Sequence, residues 1–312
     1  MGSDGDDRDP SLLDRLSARV EEEANGGFDL DERDPEFIES VMPRVDLALR
    51  WFDPEVEGME NLPDEGPFLI VGNHSGGVFM PDYWAFLREW VRQRGAAAPL
   101  YSLGFDLIFS IPGTGGTSRK FGTVPARNHN ADRLLEEGAA VLVYPGGDID
   151  DYRPWTERHH VDLHGHMGFV RLALRHNVPV VPLVSQGSHD SLIVVFRGNE
   201  LAHTLGLDRF RIHVLPLVLG PAGLALLPVA GPPFPAKVVS RVCEPFDWSH
   251  LGPDAQDDPE IVRHCYEEML GRMQANLDEL VELNPHPVRT RIGTALGLDR
   301  LRRWVRHESV SY

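Results

Sequence analysis

Apolar runs of strand length, separated by segments of helical period, constrain the fold of this 312-residue chain more than any other feature. Residues 68–72, 140–144 and 178–184 are almost wholly apolar, as strands covered on both faces must be. Between them, 82–94, 127–137 and 168–177 space their apolar side chains as helices do. That alternation predicts an α/β domain, a mostly parallel central sheet flanked by helices. A strongly apolar N-terminal helix begins near Glu36 and carries Phe37, Ile38, Val41, Met42, Val45 and Leu49. Asp258-Pro259, a helix-start pair, opens a C-terminal amphipathic helix that runs to about Leu283. Shorter strands at 100–103 and 237–242 complete the pattern, with a glycine-rich loop at Gly113-Thr114-Gly115-Gly116.

Charge is spread unevenly along this frame. The formal net charge is −18, and the first 40 residues hold fourteen acidic residues against four arginines. Such a balance repels phosphate backbones and excludes nucleic acid as a partner. Residues 1–34, acidic and poor in aromatics, are expected to be disordered or loosely helical, with 35–284 as the folded domain. The remainder, 285–312, is a basic amphipathic tail with six arginines and one aspartate between Arg289 and Arg306. With Ile292, Leu296, Leu298, Leu301, Trp304 and Val305 among its arginines, it suits an anionic membrane surface. A terminal helix docked on the acidic domain is the other reading. The two cysteines, Cys243 and Cys265, are far apart and build no disulfide framework, which favours a reducing interior. The acidic start is unlike a secretory signal, so a cytoplasmic location at the inner membrane face is expected. Residues 214–230 are apolar, but Pro216, Pro221 and Pro228 break any spanning helix. An apolar loop or hairpin that packs on the core, or dips into an interface, fits that stretch.

Chemistry concentrates after the first strand, at Gly72-Asn73-His74-Ser75-Gly76-Gly77, followed by Pro81-Asp82. A neutral imidazole at the mouth of a strand can take a proton from a hydroxyl near pH 7. A carboxylate on its far nitrogen fixes the tautomer and steadies the imidazolium. The same letters also describe a plain turn followed by a helix-start acid. Three other matches fail. Asn73 stands where a nucleophile elbow needs glycine. Ser188-His189-Asp190 are adjacent and point apart, so they cannot form a relay. The Gly113–Lys120 loop lacks phosphate-loop spacing. The cluster His159, His160, Asp162, His164 and His166 could bind zinc, yet it has no HExxH spacing and no cysteine partner. A solvated loop explains it better, and no metal is assigned.

The order of the pieces after His74 adds more. Gly122-Thr123-Val124-Pro125-Ala126-Arg127, Tyr144-Pro145-Gly146-Gly147 and Val178-Pro179-Val180-Val181-Pro182 follow in series. Together they resemble the glycerolipid acyltransferase superfamily, the PlsC-like lysophospholipid and glycerol-phosphate acyltransferases. The likeness is closer to the branch of monoacylglycerol and diacylglycerol acyltransferase-like proteins, and it covers about residues 56–245. The resemblance implies a histidine base that deprotonates an acceptor hydroxyl, which then attacks an acyl-CoA or acyl-carrier protein thioester. Carried over, His74 is the base and Asp82 its partner. Arg127 holds the polar end of a lipid acceptor, and Gly146 and Gly147 approach the substrate through their backbone. Asn73, Ser75, Gly76 and Gly77 complete the substrate-binding set, with backbone N–H groups at Ser75–Gly77 or Gly146–Gly147 as oxyanion donors. No cofactor is required beyond the acyl carrier as co-substrate.

Two departures qualify the likeness. Seven residues separate His74 from Asp82, where the family usually has four, so the Gly-Gly insertion must loop out. The third motif reads Pro145-Gly146-Gly147-Asp148 instead of Pro-Glu-Gly, with Arg153 further on. That change favours a neutral lipid alcohol over a phosphorylated acceptor. An esterase or thioesterase using water, and a catalytically silent lipid-binding homologue, remain as alternatives.

Overall fold

The computed structural model describes residues 15, 17–18, 20–22, 28–111, 113–226 and 231–297. Its helices and strands run in the order α1 (Pro35–Leu49), β1 (Glu55–Glu57), β2 (Phe68–Gly72), α2 (Pro81–Arg94), β3 (Leu100–Gly104), α3 (Asp106–Ser110), α4 (Thr114–Lys120) and β4 (Thr123–Pro125). There follow α5 (Asn128–Glu136), β5 (Ala140–Val143), α6 (Gly147–Asp151), α7 (Gly168–His176), β6 (Val180–Gln186), β7 (Ile193–Phe196) and α8 (Asn199–Thr204). The chain continues through β8 (Leu217–Gly220), β9 (Gly223–Ala225), β10 (Val239–Val242), α9 (Pro259–Leu283) and α10 (Pro287–Ala295).

Seven strands form one sheet in the order β1-β10-β6-β2-β5-β3-β4. From β6 to β4 every pairing is parallel, and β10 runs antiparallel to β6 at one side. The two-residue period of the strands sorts the core into two layers. Leu69, Val71, Val141 and Val180 point to one face, under α5, α7 and α9. Phe68, Ile70, Leu142 and Val181 point to the other, under α1 and α2. This is the expected helix–sheet–helix sandwich, and it explains why β2 and β6 are buried at every position.

The connections leave β2 in one direction, to β3, and leave β5 in the other, across β2 to β6. In an open α/β sheet such a reversal creates a crevice at the carboxyl ends of the strands. The segments that follow β2, β5 and β6 therefore meet there. A second sheet, β7-β8-β9, is antiparallel and grows from the segment after β6.

Two expectations need correction, and one open pair of readings is narrowed. Residues 113–116 start helix α4, with Gly113 at φ +85° as its N-cap, in place of a loop. The end of the acidic N-terminal stretch is folded onto the domain. Phe28 is buried, and the Arg33 guanidinium donates to the carbonyls of Ala96, Ala98 and Leu100 at 2.7, 2.9 and 3.1 Å. Burial of one aromatic ring and capping of three loop carbonyls offset its acidity. In the tail, Arg291 donates to Trp51 O at 2.9 Å and to Arg50 O, carbonyls of the turn just past the end of α1. That arginine serves docking to the domain. Leu298, Leu301, Trp304, Val305 and the tail's last arginines lie outside the described residues.

Candidate active site

The seven-residue spacer closes on itself. Gly76 and Gly77 take φ +98° and +61°, a short turn covers Gly77–Phe79, and Met80 follows at φ +40°. Glycine reaches those angles freely, whereas Met80 bears the strain a side chain meets there. Pro81 then starts α2, so Asp82 sits in its first turn, wholly buried. The result brings Asp82 Oδ2 to 3.4 Å from His74 Nδ1. His74 Nε2 is the ring nitrogen left for another partner.

A second acidic segment holds the same loop. Asp150 Oδ2 accepts from the His74 backbone N–H at 2.7 Å, and Asp151 Oδ1 accepts from the Gly77 N–H at 2.8 Å. Arg153 forms a buried ion pair with Asp150. The ring of Tyr144 stacks on His74 at 4.4 Å between centroids. Glycines make this closeness possible. A Cβ at Gly72 would meet the Tyr144 ring at 2.4 Å, and one at Gly146 would meet Asp150 Cβ at 2.3 Å.

Burial alone would lower the pKa of His74, but Asp151 and Asp82, with Asp150 behind them, outweigh it and hold it up at about 9. Burial pushes the Asp151 carboxyl up to about 6, with Asp82 and Asp150 adding to the rise and His74 opposing it. Burial likewise raises Asp150, against the pull of Arg153. His189, buried and close to Arg153, is held well below its ordinary value and stays neutral. Three carboxylates thus surround one imidazole, a concentration of perturbed groups of the kind that marks reactive sites.

The remaining candidates divide by position. Asn73 is structural: its side chain donates to Ser185 O at 3.0 Å and accepts from the Ser185 N–H at 2.8 Å, which extends the β2–β6 ladder. Ser75 is buried beside His74, and its hydroxyl has no hydrogen-bond partner. The Gly77 and Gly147 N–H groups are already used, by Asp151 and by Tyr144 O at 3.2 Å. That removes two of the expected oxyanion donors and leaves Ser75, Gly76 and Gly146. Arg127 lies after β4, three strand spacings of about 4.8 Å from β2. Its guanidinium pairs with Asp106 Oδ2 at 2.9 Å, and Arg211 meets the same oxygen at 2.9 Å. In the histidine cluster, His166 Nδ1 lies 2.7 Å from Pro145 O and His164 faces Asp162. Among the described residues, no three His, Cys, Asp or Glu side chains are placed to hold a metal ion.

Sequence reasoning missed Tyr144, Asp150 and Asp151 as parts of this site. The signal was present: Asp148-Ile149-Asp150-Asp151 is an acidic run that follows a glycine pair at a strand end.

A family model described as Acyltransferase matches residues 53–186. The chain is 31% identical over 232 residues to uncharacterized protein Rv0502 of Mycobacterium tuberculosis, covering 74% of this chain and 62% of that one. It is 26% identical over 236 residues to a Bos taurus protein named DGAT1/2-independent enzyme synthesizing storage lipids, covering 74% and 61%. Phytyl ester synthase 1, chloroplastic, of Arabidopsis thaliana is 32% identical over 149 residues, covering 47% of this chain and 21% of that one. The chain therefore spans about three fifths of the length of the mycobacterial and bovine relatives. The match spans β1 through β6 and contains His74, Asp82, Arg127 and the 145–153 segment, so this region of the chain is an Acyltransferase-family domain.

Proposed function

We propose that this protein transfers a fatty acyl group from an acyl-CoA or acyl-carrier protein thioester to the hydroxyl of a lipid alcohol. His74 Nε2 takes the hydroxyl proton, the oxygen attacks the thioester carbonyl, and the carbon–sulfur bond breaks as the tetrahedral intermediate collapses. The departing thiolate receives the proton from His74. Asp82 fixes the tautomer through Nδ1. Asp150, which accepts from the His74 backbone N–H, holds the loop in place. The observation that carries this reading is the 3.4 Å approach of Asp82 to His74 at the carboxyl ends of the strands.

The acceptor is a neutral lipid alcohol, such as a mono- or diglyceride. Both arginines that could clasp a phosphate, Arg127 and Arg153, are already paired with carboxylates. Relatives named for storage-lipid and phytyl ester synthesis point the same way. Contact with a membrane surface, where such an acceptor resides, belongs to the same reading. Among the described residues, no helix is long and apolar enough to cross a membrane.

The test is His74→Ala assayed with labelled acyl-CoA against a panel of diacylglycerol, monoacylglycerol, lysophosphatidate and glycerol phosphate. A fall in turnover of about 10³-fold is expected. Transfer by the folded variant at the normal rate would remove His74 from the chemistry. Release of free fatty acid by the wild type without any acceptor would favour the esterase reading.

A further inference from the structure

The small sheet β7-β8-β9 is apolar on both faces. Directly opposed residues of antiparallel strands share a face. Val194, Val218 and Ala225 therefore line one side, and Ile193, Leu219 and Leu224 the other. The first side is covered by Ile149 and Tyr152, from the acidic segment that holds the His74 loop. Tyr152 itself borders that loop: a Cβ at Gly77 would lie 3.2 Å from its ring. The second side is open. Leu224 is 62% exposed, and Val195, Phe196, Leu219 and Leu226 stand out beside it. Phe196 joins this face because it pairs with Leu217, two residues from Leu219, while a bulge turns Val195 outward.

Composition says what covers such a face. Residues 214–236 contain only Val, Leu, Ala, Gly, Pro and Phe, twenty-three positions without one polar side chain. A protein interface carries a polar rim and regular hydrogen bonds, and this stretch has no side chain to supply them. Hydrocarbon asks for none. Six of the twenty-three residues are proline, each of which removes a backbone donor that lipid could not satisfy. Charge agrees. Across 193–236, Arg197, Arg209 and Arg211 outnumber Glu200 and Asp208, in a chain of net charge −18. Arg197 pairs with Glu157 and Arg211 with Asp106, so this surface is close to neutral and meets anionic headgroups without a local excess of acid. Val78 after β2 and Ile111 after β3 are also exposed, at the same carboxyl end of the sheet.

We propose that the outer face of β7-β8-β9 is a bilayer-docking platform. It seats Phe196, Leu224 and Leu226 at the headgroup–acyl boundary and sets the His74 site beside the membrane, so that a lipid alcohol reaches it from the bilayer. The delivery of substrate rests on the acyltransferase reading above; the docking itself does not.

Flotation with vesicles of phosphatidylcholine and phosphatidylglycerol tests it, using the full chain. The wild type and His74→Ala should both float with the vesicles, because binding is read without turnover. The double variant Phe196→Asp/Leu224→Asp should lose about 10-fold or more of its bound fraction, with its thermal midpoint unchanged. Leu224→Cys carrying an environment-sensitive fluorophore should shift its emission to the blue on vesicle addition, which guards against a misfolded double variant. Equal flotation of the double variant and the wild type, or a label at 224 that stays in water while the protein floats, overturns the proposal. A wild type that ignores vesicles and forms a dimer that the double variant dissociates would give this face to a second copy, and overturns it too. If His74→Ala kept full transfer activity while flotation behaved as expected, the catalytic reading alone would fail.

Discussion

The two ends of the candidate site treat charge in opposite ways. Around His74, the carboxylates of Asp82, Asp150 and Asp151 face one imidazole and one guanidinium, and nearly all of these groups are buried. Beyond β4, the guanidiniums of Arg127 and Arg211 share the single carboxylate of Asp106, and both arginines reach solvent. Buried excess acid raises pKa values and stores protons, whereas a part-exposed cation pair is screened by water. The first end is built to handle a proton. The second is built to hold a surface in place or to touch a polar group, at modest energetic consequence.

The sharpest way to break this contrast, after His74→Ala itself, is Asp82→Asn. The amide keeps the size of the carboxyl but lacks its charge, and it can present its NH₂ to Nδ1, which selects the wrong tautomer. A fall in kcat of roughly 10²-fold is expected, with little change in KM. An unchanged kcat would return Asp82 to the role of a helix-start acid. Asp151→Asn comes next, and its readout is a pH profile. A base must be neutral, so kcat/KM of the wild type should rise with pH toward a limb near 9, where His74 loses its proton. Asp151 is the largest of the influences that raise this value. Removing its charge should move the limb to lower pH, while the asparagine oxygen still accepts from the Gly77 N–H. A limb that stays in place would show that Asp151 does not govern the base.

The same contrast explains how much of the molecule was legible in its residues. Strands β2, β5 and β6 announce themselves because both faces are covered, which demands unbroken apolar runs. Helices α2, α5, α7 and α9 do so because one face is covered. The hairpin of β8 and β9 falls in the apolar stretch where a loop or hairpin is expected, whereas the short strands β1, β4 and β7 lack either signal. They are three or four residues long, and their pairing is decided by distant partners such as Val239 for Glu55. At the site, His74 and Asp82 were readable from residue type and order. The loop-out of the Gly-Gly insertion followed from the spacing, but its geometry did not, since it depends on three residues in the left-handed region in quick succession. Asp150 and Asp151 escaped notice because the sequence places them 76 and 74 residues from the groups they bind. Only the parallel register of β2 beside β5 brings those loops together.

Arg127 gives the smallest expected effect and the finest discrimination. Its side chain is 22% exposed and its charge is already met by Asp106 at 2.9 Å. The carboxylate of that pair is buried, at 2% exposure, so what limits the cost of losing Arg127 is the second arginine on the same oxygen. Arg211 still neutralises Asp106 when Arg127 is removed. With a neutral acceptor such as diacylglycerol, Arg127→Ala should therefore raise KM by no more than about 5-fold and leave kcat nearly unchanged. A phosphorylated acceptor would behave differently. Loss of a charge-assisted hydrogen bond to phosphate costs about 1.5–3 kcal/mol, a factor of roughly 10 to 150 in kcat/KM. Measuring both acceptors with the same variant separates the two outcomes. A lysophosphatidate activity that collapses in Arg127→Ala, beside a diacylglycerol activity absent from the wild type, would assign the arginine end of the site to phosphate and overturn the neutral-acceptor assignment.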